Sequence, residues 1–233
     1  MSRKVNAEDY ASKRNEILDV ARKLVYTKGY EQMSIQDILD EMKISKGAFY
    51  HYFDSKPALL EALIDRLADE AEVKVSPILQ DPNLTAIEKL QQYFSTAVQW
   101  KAAQKDYLIA ILRVWYSDDN AIIRQKTYNR LIQRFTPVFT PVIRQGIMEG
   151  SLSTDFPEQV MEIVLNAIYG LGDKFGEIIL GKETGNDALK PEEKLRILNN
   201  AVNANTDALE RILGAQKGSI TLMDTQTIHL WID

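Results

Sequence analysis

The 233-residue chain is 45% apolar and 26% charged, the balance of a soluble globular protein with room for one sizeable domain or a small one beside a larger one. It has no cysteine and only two histidines, His51 and His229, far apart in sequence, which excludes disulfides, cysteine–zinc sites and thiol catalysis and leaves no histidine cluster for a metal. There is no apolar run of membrane-spanning length, and the start MSRKVNAEDY lacks the apolar core of a secretory signal, so a cytoplasmic protein without a membrane partner is expected. The net charge of −5 is unevenly spread. Residues 1–60 carry ten basic against nine acidic side chains, while the rest carries 18 against 24. Such a chain would meet a polyanion with its N-terminal part first.

Helical periodicity dominates. A first helix is predicted from about Asp9 to Lys28, with Ile17, Leu18, Ala21, Leu24 and Val25 on one stripe and Gly29 as a left-handed C-cap. Ser34 is a good N-cap with Asp37 three residues on, so the next helix can begin there with its orphan N–H groups met by side chains. Ile35, Ile38, Leu39 and Met42 mark its apolar face. After Lys43 the period breaks, Ser45 offers a second cap, and Phe49 and Phe53 share one face of a short third helix. Lys46, Gly47, Tyr50 and His51 are then left pointing outward. A cationic, hydroxylated face bearing a glycine on so short a helix suits the major groove of DNA. The fourth helix should open near Asp54 or Ser55, tolerate Pro57 in its first turn, bury Leu59, Leu60, Leu63, Ile64 and Leu67, and end near Ser76 at Pro77.

SKGAFYHYFDSKPALLEAL, at 45–63, is similar to the signature of the TetR family of bacterial transcriptional repressors, and DVARKLVYTKGYEQMSIQDILDEMKI, at 19–44, resembles the family's preceding helices. The spacing from Gly29 through Ser34, Gly47, Tyr50, Phe53 and Lys56 fits without a gap over about the first quarter of the chain. The resemblance implies an all-α fold: a three-helix helix-turn-helix domain, 1–57, followed by a helical ligand-binding and dimerisation domain, 58–213, with 214–233 as a tail. It implies a homodimer that binds a near-palindromic duplex DNA operator as a repressor and is released by a small apolar or aromatic effector. The DNA-binding set is Ser34, Lys46, Gly47, Ala48, Tyr50, His51, Tyr52 and Lys56, with Tyr50 carried over as a phosphate contact. Lys56 stands in the first turn of a helix, where the dipole does not favour a cation, so a phosphate would account for it. Arg3, Lys4, Lys13 and Arg14 are further cations within reach of a phosphate backbone.

Beyond QDPN at 80–83, Thr85 caps a long apolar stretch to about 116 with a break near Lys105 and Asp106, and SDDN at 117–120 is a turn. Pro137 and Pro141 should kink or split the helix that follows, and Gly150 closes it. Two helices of bundle length are predicted over about 157–181 and 191–213. The first carries Ala167, Gly170, Gly172 and Gly176, small residues that let a partner helix come close, and the resemblance places a four-helix dimer interface on this pair. The tail GAQKGSITLMDTQTIHLWID alternates like a strand and reads as a strand, a clasp, a flap or a disordered end, with His229 at its surface.

Tyr93, Trp100, Arg113, Trp115, Tyr116 and Tyr169 are the candidate ligand-binding residues: Trp and Tyr carry polar groups that need partners when buried, and Arg113 could meet a carboxylate. No phosphate-binding glycine loop, nucleophile elbow or paired-histidine motif is present, so no catalytic residue, metal or cofactor is expected. An alternative keeps the DNA-binding domain and makes the large one a protein-interaction or activating module without a small ligand.

Overall fold

A computed structural model describes residues 7–181 and 189–232, apart from the Asp118 side chain. Among the described residues ten α-helices follow one another: α1 (Ala7–Lys28), α2 (Ile35–Met42), α3 (Lys46–Tyr50), α4 (Lys56–Gln80), α5 (Ala86–Ala102), α6 (Lys105–Trp115), α7 (Ala121–Glu149), α8 (Val160–Ile179), α9 (Pro191–Leu213) and α10 (Thr225–Ile232), with a short 3₁₀ turn at Asp118–Asn120. No strand occurs among the described residues, and the fold is all-α. No helix among them is long and apolar enough to cross a membrane. The chain forms two compact units. The first gathers residues up to Asp69 with Asp106–Arg124, and the second gathers Glu70–Lys105 with residues from Gln125 onward.

In the first unit the predicted caps are in place. Gly29 has a φ of +80 and donates its N–H to the Val25 carbonyl, closing α1. The Ser34 hydroxyl accepts from the Asp37 N–H at 3.1 Å while the Asp37 carboxylate accepts from the Ser34 N–H at 2.8 Å, a reciprocal capping box. Lys43 takes the left-handed conformation, φ +53, that turns the chain from α2 into α3. Ser45 then caps α3 by accepting from the Ala48 N–H. Ile17, Leu18, Ala21, Leu24 and Val25 of α1, Ile38 and Leu39 of α2, Phe49, Phe53, and Leu59, Leu60 and Leu63 of α4 are all buried. Ile35, Met42 and Ile64 are only half-buried. Lys28 to Asp37 and Lys23 to Glu41, each at 2.7 Å, tie α1 to α2 across the surface.

Three expectations need correction. First, α4 does not end at Pro77 but continues to Gln80 with Pro77 inside it. The carbonyl that loses its donor there belongs to Val73, which is 73% exposed and so reaches water instead. Second, α7 is one helix across both Pro137 and Pro141. The carbonyls deprived there belong to Gln133 and Pro137, both on the exposed side. On that stretch the Thr136 and Thr140 hydroxyls donate back to the Ile132 and Thr136 carbonyls. Third, the tail is neither strand nor disordered. Ile220 and Leu222 are buried in irregular chain, and then Asp224 caps α10 by accepting from the Thr227 N–H at 2.7 Å. Ile228 and Trp231, three apart, face inward while Leu230 is exposed, a helical and not an alternating pattern.

The second unit is held by α8 packed on α9, and by α10 packed on α9 and α5. Thr85 and Glu88 form a capping box at the start of α5, and Glu149 at the end of α7 accepts the Ala86 N–H at 2.9 Å, a carboxylate on a helix N-terminus. The buried Lys89 donates to the Gln145 side-chain carbonyl at 2.7 Å. Glu210, only 4% exposed, accepts the Ile220 N–H at 3.0 Å and so fixes the tail to α9. Gln91 makes two hydrogen bonds with the Thr221 backbone. Gly214 ends α9 at φ +61 with its Cα against the Ser153 carbonyl, where any Cβ would collide.

The capping box gives the first unit an acid-sensitive element. Lys28, then the Ser34 backbone and hydroxyl, hold the Asp37 carboxyl down at about 2. A folded-state value below the unfolded one adds stability that is complete above the ordinary aspartate range and is lost as pH falls through the folded value. Asp37→Asn should therefore lower Tm at neutral pH, and the gap to the wild type should close between about pH 4 and about pH 2. A gap that stays constant over that range would show that the carboxylate charge contributes nothing there.

Candidate nucleic-acid interface

The first unit presents a small polar surface around α3. Phe49, 0% exposed, and Phe53, 3% exposed, lie under it with ring centroids 5.9 Å apart. Burying them fixes which side of α3 is left to solvent. On that side Lys46, Gly47, Tyr50 and His51 are exposed, and Ala48 and Tyr52 are half-buried. A Cβ on Gly47 would meet nothing within 4 Å, so the subunit itself does not require glycine there, and an approaching surface gains the missing methylene's width. The Lys46 ammonium lies 5.9 Å from the Tyr50 ring centroid and has no acidic partner among the described residues.

The other proposed cations are engaged to differing degrees. Lys13 is paired with Glu16 at 2.6 Å. Arg14 stacks over the Phe53 ring at 4.9 Å. Lys56 sits over the Tyr30 ring at 4.5 Å and donates to the Glu31 carbonyl at 3.2 Å, while Tyr30 donates to the Lys56 carbonyl at 2.8 Å. Burial pulls the Lys56 ammonium below the usual lysine range, against the opposing pull of Glu31 and Asp37. Its place at the start of α4 thus has a structural account that the sequence did not offer: it clasps the α1–α2 connection. Ser34 is exposed, but its hydroxyl is committed to the capping box. Arg3 and Lys4 lie outside the described residues.

The candidate ligand-binding residues are divided between the two units. Arg113, Trp115 and Tyr116 belong to the first unit. Arg113 is exposed, Trp115 is buried with its carbonyl accepting from Arg124, and Tyr116 lies under the Arg124 guanidinium at 5.3 Å. Tyr93, Trp100 and Tyr169 belong to the second unit, where Trp100 is half-buried. There Tyr169 stacks on Tyr128 at 5.0 Å, Tyr128 donates to Asp173 at 2.6 Å, and Tyr93 meets Phe139 edge-on at 4.7 Å. The three phenols converge. Desolvation and the neighbouring Tyr93 and Tyr128 raise the Tyr169 phenol, and desolvation pushes Tyr93 up to about 12. Among the described residues neither the Tyr93 nor the Tyr169 hydroxyl has a hydrogen-bond partner. Nothing in the sequence singled out Tyr128, which stands among polar residues, or Asp173, a carboxylate in a largely apolar helix. A separate open groove of about 510 Å³ on α7, lined by Thr136, Pro137, Thr140, Pro141, Arg144 and Glu158, contains none of the proposed residues.

Of the proposed dimer residues, Gly170 is exposed, Ala167 is half-buried and Gly176 is buried. A Cβ on Gly170 or on Gly172 would meet nothing within 4 Å. Close packing inside the subunit therefore does not explain those two glycines.

Residues 17–63 match the model of the bacterial regulatory proteins of the tetR family. The HTH-type transcriptional repressor DhaR of Mycobacterium sp. (strain GP1) is 23% identical over 148 residues, 64% of this chain and 74% of that protein. The HTH-type transcriptional regulator in the lacX 3′ region of Lactococcus lactis is 50% identical over 52 residues, 22% of this chain and 26% of that one. The structure of a TetR-family regulator from Pectobacterium atrosepticum superposes with a TM-score of 0.62 at 18% identity, covering 89% of this chain and 97% of that one. Higher identity thus goes with the shorter match, while the helical fold is shared along most of the chain. Residues 17–63 thus belong to the tetR family of bacterial regulatory proteins, and the chain as a whole shares the helical fold of such a regulator.

Proposed function

We propose that this regulator is a homodimeric repressor that reads a near-palindromic operator through α3 and is released from it by a small aromatic ligand. The observation that carries the DNA-binding part is the division of α3 itself. One side is consumed by the burial of Phe49 and Phe53, while the other holds Lys46, Gly47, Tyr50 and His51 in solvent. A reading helix this short covers too few base pairs alone, so two copies related by a two-fold axis, one helical turn of DNA apart, are required for specificity. Lys46 supplies the cation, Gly47 and Ala48 allow close approach, Tyr50 donates to phosphate, and His51 and Tyr52 flank the groove. Ser34 places a helix N-terminus toward the backbone, and Lys56 holds the loop before it.

The dimer is formed by the outer faces of α8 and α9. Ile163, Gly170, Gly172 and Lys174 of α8 and Arg196, Asn200 and Asn203 of α9 are exposed. The effector is received in the second unit, where the partnerless Tyr93 and Tyr169 hydroxyls meet its polar group and the surrounding rings meet its aromatic body. Helix α4 has residues in both units and is the covalent route by which a ligand alters the spacing of the two reading helices.

Lys46→Ala and Tyr50→Ala should each weaken operator binding, by roughly tenfold or more where a base contact is lost. If Lys46 meets phosphate, the weakening should be uniform across sequences and the salt slope shallower by about one. Footprints unchanged in the double variant would remove α3 from the interface. Gly170→Leu should convert the dimer to a monomer in sedimentation, because the subunit has open space there and leucine is the better helix former; a variant that sediments as wild type places the interface elsewhere. For the effector, titration of a panel of aromatic compounds followed by tryptophan fluorescence should find one whose affinity falls roughly 5- to 150-fold when operator is present, the range of ordinary allosteric coupling. Tyr169→Phe should weaken it. A ligand bound equally with and without operator is no inducer.

A further inference from the structure

Tyr10, near the start of α1, reaches the far end of α3. Its ring centroid is 4.7 Å from that of Tyr52, tilted by 36°, and 5.5 Å from that of His51, edge-on at 82°. His51 and Tyr52 are themselves edge-on at 5.1 Å, so the three rings form a closed cluster. The Tyr10 hydroxyl donates to the His51 carbonyl at 3.4 Å, longer than a strong O–H···O bond. The ring contacts therefore make the larger share of this junction.

The hydrophobic core does not call for this cluster. Tyr10 and Tyr52 are half-buried and His51 is exposed, whereas α3 is already anchored from beneath by Phe49 and Phe53. That anchor holds the underside of a five-residue helix and does not reach the side chains of His51 and Tyr52 beyond its end. His51 is the C-cap of α3, where helices fray first. The single Tyr10 ring of α1, in contact with both, fixes the orientation of the two side chains at that end.

We infer that Tyr10 is a positioning residue for sequence reading: it sets the rotamers of His51 and Tyr52 at the DNA surface without itself touching a base. This rests on the reading of α3 as the DNA-contacting helix. The specificity of the regulator then depends on a residue 41 positions upstream of the side chain it orients.

The test uses the full chain, a duplex enriched by the wild type from a randomised pool, and a scrambled duplex of equal length. Tyr10→Ala should lower affinity for the enriched duplex about tenfold, the loss expected for two aromatic contacts. Affinity for the scrambled duplex should stay within about twofold, and the salt slope should not change because no cation is removed. Tyr10→Phe, which keeps the ring, should retain the wild-type ratio between the duplexes. If Tyr10→Ala lowers both affinities equally, Tyr10 only stabilises the domain and the inference is overturned. It is also overturned if Tyr10→Phe falls as far as Tyr10→Ala, which would move the role to the hydroxyl. A wild type that binds while Tyr10→Ala keeps the full ratio overturns this inference alone; a wild type that enriches no duplex overturns the DNA-binding reading beneath it.

Discussion

A five-residue helix cannot hold itself. Its few internal hydrogen bonds do not repay the cost of nucleation, and isolated helices several times longer are marginal in water. The form of α3 is therefore imposed from outside, chiefly by the burial of Phe49 and Phe53 in the core of the first unit, each worth about 2–3 kcal/mol as removed apolar surface. That one constraint orients everything else on the helix. With two aromatics four residues apart turned inward, the remaining positions must face out, and their chemistry is free of folding demands. Ser45 at one end and the Tyr10 cluster at the other then fix the helix along its axis.

The second unit solves a different problem, since long helices are stable enough but must be prevented from sliding. Polar contacts do this at the ends. Glu149 on the Ala86 N–H and Lys89 on Gln145 lock the start of α5 to the end of α7, and Gly214 lets the end of α9 approach the chain at Ser153 too closely for any side chain. Glu210 is the costliest of these devices, because a carboxylate at 4% exposure must be satisfied. It accepts the backbone N–H of Ile220, so the tail is an integral layer and not an appendage. Against this framework the phenols of Tyr93 and Tyr169 stand out, because they are half-buried among rings and have no comparable structural partner among the described residues.

What the sequence made legible was local. Ser34 with Asp37, Thr85 as an N-cap and Gly29 as a C-cap depend on residues within a turn or so of one another, and all three appear as read, with Glu88 completing the Thr85 cap. The prolines misled because a proline's effect depends on whether the carbonyl it orphans can reach water. At Val73, Gln133 and Pro137 it can, and the helices run on. The tail misled because alternation at Ile228, Leu230 and Ile232 fits a strand, while the inward pair is Ile228 and Trp231. Within the candidate site, the outward face of α3 followed from Phe49 and Phe53. The engagement of Lys56 with Tyr30 and Glu31, and of Tyr10 with His51, did not, because those pairs join residues 25 or more positions apart on different elements.

That contrast also explains why the effector side resists a reading by spacing. A DNA-contacting face must match a fixed groove, so its residues are confined to one short helix and a recognisable order. A small-molecule site has no such fixed counterpart, and here its best candidates come from α5, α7 and α8 together. Tyr93 and Tyr169 are aromatic residues beside apolar ones, whereas Tyr128 in a polar stretch and the carboxylate Asp173, which complete the cluster, carry no such signal. The carboxylate of Asp173 receives the Tyr128 proton, and this fixes Tyr128 in the orientation that stacks on Tyr169. The Tyr169 ring is thereby held in one orientation on the half-buried surface between α7 and α8, and a side chain ordered in advance costs any complex less to form.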